Sequence, residues 1–134
     1  MAAELNIAAF KRVPFVDDVA ILGPDYTGAA FAMHIRNRNG DTGTPLVSLA
    51  SAPAGSQGVS VTYDATYIYN EAGDEAPASI ITIQINEATL EALSLNNPTQ
   101  KAVTFYYDLH ITPSGGVKRV ELFGQFIINP GATI

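Results

Sequence analysis

The 134 residues contain no cysteine. That excludes a disulfide framework and every thiolate metal site, and it leaves the redox compartment open. Basic residues are few, seven against thirteen acids, for a net charge of −6. They stand in scattered pairs (Lys11 with Arg12, Arg36 with Arg38, Lys118 with Arg119), where a nucleic-acid binder concentrates a basic face. No apolar run approaches the ~20 residues needed to span a bilayer as a helix. The opening "MAAELNIAAFKRVPF" lacks the basic stretch and apolar core of a secretory signal, so a soluble product is expected. The length suits one domain over residues 1–134, with 1–4 and 130–134 expected as extended or flexible ends. A chain of this size buries roughly two-thirds of its unfolded surface and needs no covalent staple.

What the chain has in quantity is alternation. In "AAFAMHIR", Ala29, Phe31, Met33 and Ile35 share one face, with His34 and Arg36 on the other. "GVSVTY" and "IITIQI" repeat the pattern. In "AVTFYYDLHI", Phe105, Tyr107, Leu109 and Ile111 oppose Thr104, Tyr106, Asp108 and His110. "VELFGQFII" sets Val120, Leu122, Phe126 and Ile128 on one face, with Gly124 between them. Weaker candidate strands are 5–10, 17–22, 46–50 and 66–69. A period of two means one face in a core and one in water, the antiparallel pattern. Polar, turn-rich breaks fall at 37–45, 51–58, 70–79 and 96–100.

One segment changes period. In "NEATLEALSL", Asn86 suits an N-cap, Glu87 the first turn, and Leu90 with Leu93 forms an apolar i, i+3 pair. The reading is a helix at 87–93 that plugs one end of a sheet. The fold class is therefore all-β: about seven to nine short strands in an antiparallel sandwich with one short connecting helix, and a small barrel as the alternative. "YYDLHI" and "VKRVELFGQFII", around "TPSGG", predict a long hairpin turning at Gly115 and Gly116.

The candidate chemistry is thin. Asp108 and His110 share a strand face about 6.5–7 Å apart, too far for a direct hydrogen bond without rotamer help. A triad would still need a nucleophile, and a zinc site two more ligands. His34, the other histidine, also lies on a polar face without a carboxylate–histidine motif. The acidic loop with Glu71, Asp74 and Glu75 lacks the ligand spacing of a calcium loop. There is no GxSxG, GxGxxG or GxxxxGK[ST] motif, so no enzyme, cofactor or metal is expected. His34, Tyr106, Asp108 and His110 are read as outward polar residues and as a candidate interaction surface. Tyr63, Tyr67, Tyr69, Tyr106 and Tyr107 suggest an alternative, a carbohydrate-binding module that stacks sugars on one sheet face.

The order of these features resembles a family. "DYTGAAFAMHIR" resembles the D-(L/Y)-T-G-A segment of small proteins of tailed phages and prophages, and "YYDLHITPSGGVKRVELFGQFIINPGAT" continues the likeness, which runs from Pro14 to Thr133. The pattern is similar to the N-terminal domain of phage baseplate upper proteins and to tail-fibre attachment domains. The resemblance implies an immunoglobulin-like sandwich and a structural role in a phage tail, with docking to copies of itself or to another tail protein. It also implies synthesis in the bacterial cytoplasm and a final place in the virion. Those proteins usually continue into a helical or fibrous portion. Asp25 and Gly28, in the turn that enters a strand, and Gly124, mid-strand where a bulge or a large aromatic needs room, are expected to determine the fold.

Overall fold

The computed structural model describes residues 3–10, 13–38, 43–93 and 102–129. The expectations for 96–100, for 130–134 and for the middle of the 37–45 turn lie outside the described residues. In chain order the elements are β1 (Ala3–Glu4), β2 (Ile7–Phe10), β3 (Phe15–Leu22), β4 (Ala30–Arg36), β5 (Val47–Ala50), β6 (Gly58–Ile68), β7 (Glu75–Ile85), α1 (Glu87–Leu93), β8 (Val103–Thr112) and β9 (Arg119–Asn129). Two sheets form. The larger runs β1-β9-β8-β4-β5, with β2 also on β9, and the smaller runs β3-β7-β6.

Alternation decides which side chains meet between the sheets. Met33, Ile35, Leu109, Ile111 and Phe126 come from the large sheet, and Val59, Ile81, Ile83 and Ile85 from the small one, into a single apolar cluster. Phe15 and Phe126 meet edge to face across it, with centroids 5.5 Å apart. The expected helix is present at Glu87–Leu93, and Leu90 is fully buried as the plug. The Asn86 carbonyl accepts from the backbone of Thr89 and Leu90 to start it. Among the described residues, no helix is long and apolar enough to cross a membrane.

Four details differ from the sequence expectation. First, β1 and β2 pair with β9 in parallel, so Ala3–Glu4 is strand and the large sheet is not wholly antiparallel. A segment that arrives from the far end of the chain is not bound by the reversal a hairpin imposes. Second, 66–69 is no separate strand. β6 runs on to Ile68 through a bulge between Asp64 and Tyr67.

Third, β7 begins at Glu75, inside the expected 70–79 loop, and Ala78 and Ser79 are buried. Small and polar residues concealed that strand. Its Pro77 lies opposite the β6 bulge, where the interrupted ladder tolerates a missing N–H. Fourth, a register shift in the β8–β9 hairpin leaves Glu121 without a cross-strand partner and sets Val120 opposite His110. Val120 therefore leaves the Leu122 face it was expected to share.

Candidate functional site

The sequence-predicted surface lies on the outer face of the large sheet. Register brings His34 of β4 opposite Asp108 of β8, Arg36 opposite Tyr106, and Ala32 opposite His110. Their alternates Tyr107, Leu109 and Ile111 are buried, so the facing of this strand follows the alternation. The face is half-buried rather than fully wetted, with side-chain exposures of 25% for His110 and 43% for Asp108.

Rotamers shorten the strand spacing of Asp108 and His110. Their side chains fold toward each other along the strand, and His110 Nε2 lies 3.2 Å from Asp108 Oδ2. That nitrogen is shut off from water and makes no aligned hydrogen bond, so the two side chains are in close contact without one. The His34 and His110 rings stand 6.5 Å apart, tilted by 43°. Desolvation, with the charge of Arg36 next, lowers the pKa of His34 below its ordinary value. Asp108 opposes this, while His110 and Lys118 add to it.

Register also reveals something that sequence spacing hid. Ser48 of β5 lies opposite His34, which lies opposite Asp108, so serine, histidine and aspartate form one row across three strands. No hydrogen bond joins the three, and the Asp108 oxygen is turned to His110 instead. The row lies on an open sheet surface, where water has access to any reacting group. A catalytic serine needs a bonded base and an oxyanion site. This geometry supplies the order of residues alone.

Among the described residues, a larger cleft lies away from that face. It has a volume of about 580 Å³ and opens between α1 and the start of β5, lined by Asn37, Leu46, Ala88, Thr89, Leu93 and Phe105 among others. It contains none of the outer-face residues. A smaller one of about 110 Å³ lies at that face, lined by Glu4, Tyr106, Phe123, Gly124 and Gln125. Among the described residues, no group of three His, Cys, Asp or Glu side chains is placed to hold a metal ion.

The five tyrosines do not form one platform. Tyr63 and Tyr67 belong to β6 and Tyr69 follows it, while Tyr106 and Tyr107 are on β8 with their side chains on opposite faces. Tyr107 is buried, and its hydroxyl donates to the Leu5 carbonyl at 2.6 Å.

The turn and strand positions singled out in the sequence have the following conformations and contacts. Asp25 Oδ1 accepts from Thr27 N at 2.9 Å, and this turn bonding lowers the Asp25 pKa. Gly28 has φ of 80° and Gly115 of 73°. Gly116 N donates to the Pro113 carbonyl at 2.8 Å and closes the hairpin turn. Gly124 lies opposite the large aromatic Tyr107, as the sequence suggested, and the space it leaves is also filled by the chain's own N-terminal segment. A Cβ there would stand 2.5 Å from the Leu5 carbonyl oxygen and 2.9 Å from Asn6 Oδ1.

Sequence reasoning missed Tyr26. It is buried at the end of the sandwich, where its hydroxyl donates to Glu121 at 3.3 Å and accepts from Arg119. The Arg119 guanidinium also lies over its ring, and the phenol raises the pKa of Arg119. Ser79 bridges the same corner, accepting from Tyr26 N and donating to the Pro24 carbonyl. Partners 53 to 95 residues apart leave no local trace in a sequence. No protein-family model matches the chain, and no curated protein matches it.

Proposed function

We propose that this chain is a non-catalytic docking component of a phage or prophage tail, at a baseplate or fibre attachment point, working through protein–protein contact. The observation that carries the reading is the placement of the polar side chains. They are spread in fixed register over a sheet face instead of converging in a cleft. Such a surface suits recognition of another folded surface, where complementarity over an area replaces a reactive centre.

The sequence likeness agrees with this. Three of its segments, "DYTGAAFAMHIR", "YYDLHI" and "LFGQF", fall on or beside β4, β8 and β9, adjacent strands of the large sheet. The likeness also runs through "GVSVTYD" and "ITIQINEATLEAL" on β6, β7 and α1, so it spans both sheets and fits a shared sandwich scaffold. The test is to tag the chain in a lysogen, induce it, and purify particles by density gradient. The tagged chain should co-purify with tails at a fixed ratio. A chain left entirely in the soluble lysate, with tails fully assembled, would contradict the proposal.

A further inference from the structure

The small sheet has one tied edge and one open edge. At β6 the Val59 carbonyl accepts from Ala52 N at 3.0 Å and Ser51 bridges Val59, which joins that edge to the end of β5. β3 is the other edge, eight residues long, and among the described residues no strand lies beyond it. Register decides which backbone groups it leaves open. Gly23 N donates to the Pro77 carbonyl at 2.8 Å, one step past the Leu22–Ala78 pair. Backbone groups alternate in direction along a strand, so Phe15, Asp17, Val19 and Ile21 bond toward β7. Val16, Asp18, Ala20 and Leu22 turn their N–H and C=O groups outward.

Asp17 is the odd member of its row. Phe15 is buried, and Val19 and Ile21 pack against the core, yet Asp17 stands between them, opposite the fully buried Ile83. Its carboxylate is exposed and turns along the strand, where Oδ1 accepts from Asp18 N at 3.0 Å. That N–H is one of the outward groups, at the middle of the open edge. We infer that Asp17 guards β3 against pairing with β3 of a second copy. Two such edges related by a two-fold axis meet antiparallel, outward groups against outward groups. Two registers give the greatest overlap. One sets Asp18 against its own counterpart, a like-charge pair that weakens a ladder. The other sets Val16 against Leu22 of the second copy, Asp18 against Ala20 and Asp17 against Ile21. Val16 and Leu22 are 57% and 46% exposed, so this second register would cover apolar surface on both copies. Asp17 opposes it twice. The incoming Ala20 carbonyl needs the Asp18 N–H that Asp17 holds, and the incoming Ile21 would strip water from the carboxylate. No lysine or arginine stands on β3, β6 or β7 to neutralise that charge. A charge on the inner row of an edge strand is a recurrent bar to strand addition.

Hydrogen exchange of the Val16, Ala20 and Leu22 amides, followed by NMR across a concentration series, tests it. In the wild type these amides should exchange freely at every concentration. In Asp17→Val they should slow roughly tenfold or more as concentration rises, while sedimentation shows the mass doubling. Asp17→Ala, a smaller change, should move the same way. Adding Ala20→Pro to either variant should abolish the effect, because proline removes an outward N–H and is tolerated at an edge. Circular dichroism of each variant checks that it folds, and the wild-type series stands independently of the variants. Wild-type amides that already gain protection with concentration overturn the inference, and so do amides that stay free in the folded Asp17 variants. Association that survives Ala20→Pro also overturns it, since the contact then lies away from the β3 edge.

Discussion

The hydroxyl of Tyr107 donates to the carbonyl of Leu5 at 2.6 Å, and Gly124, opposite Tyr107 in the register, leaves the space in which they meet. Around this contact the N-terminal edge is broken into β1 and β2. Leu5 N still donates to the Phe123 carbonyl, but Gln125 N donates to the side-chain oxygen of Asn6 in place of a backbone acceptor. Tyr107 and Asn6 thus satisfy polar groups that the break exposes, in the room that Gly124 leaves.

Tyr107→Phe should cost about 1–3 kcal/mol, because it leaves the Leu5 carbonyl without its partner. Burial also raises the Tyr107 pKa from 10.0 to about 12. The folded state then holds the neutral phenol more tightly than the unfolded chain does. The associated stability is fully present below pH 10 and is lost as pH rises through about 12. Urea denaturation at successive alkaline pH values should show that decline in the wild type and a shallower one in Tyr107→Phe. Identical slopes would remove Tyr107 as the cause.

Gly124→Ala should destabilise by at least about 1–3 kcal/mol, the usual cost of backbone strain at such a position. Gly124 has φ of 155°, and the added Cβ would meet the Leu5 oxygen at 2.5 Å. Hydrogen exchange should show the loss concentrated in β1, β2 and β9, where the contact holds the edge. A variant with wild-type stability would mean that the N-terminal strands do not pack against Gly124.

On β8 the two faces should respond differently. Asp108→Ala and His110→Ala, on the half-buried outer face, are each expected to change stability by about 1 kcal/mol or less. Leu109→Ala, between them and fully buried, should cost about 2–5 kcal/mol. Thermal or denaturant unfolding of the three variants checks the contrast. The reverse order would mean that the strand is inside out, since a slip of one residue exchanges the faces.

His34 should titrate below 6.5 when followed by its ring proton resonances, because desolvation and the Arg36 charge both disfavour its protonated form. Arg36→Gln should raise the midpoint, and Asp108→Asn should lower it further. The folded pKa is the lower one, so this group's contribution to stability is present above pH 6.5 and is lost as pH falls below it. A midpoint above 6.5 would show that the Asp108 charge outweighs burial.

The class and most elements of the fold were legible because a period of two is a local signal. Phe31, Met33 and Ile35, or Leu109 and Ile111, announce their strand without any partner. The helix was legible for the same reason, a local change of period at Leu90 and Leu93. The parallel edge was not, since nothing in "AAELNIAAF" says that its partner lies about 119 residues ahead, as Asn6 and Gln125 do. Register was hidden too. It is register that places Ser48, His34 and Asp108 in one row and Val120 opposite His110. Tyr26 was missed because its meaning lies in Ser79, Arg119 and Glu121, which only the closed fold brings to it.

The parallel edge has a mechanical consequence. Because β1 and β2 run alongside β9 in the same direction, Ala3 and Asn129 mark opposite ends of one seam. Tension that draws those two points apart pulls along the strands, so the hydrogen bonds between Ile7–Phe10 and Phe126–Asn129 share the load instead of opening one after another. An antiparallel seam with both loose ends at one tip would unzip bond by bond under far less force. A domain held by its two ends in this way resists stretching in proportion to the whole seam, and the Tyr107–Leu5 bond and the Asn6 side chain sit at the point where that seam is interrupted.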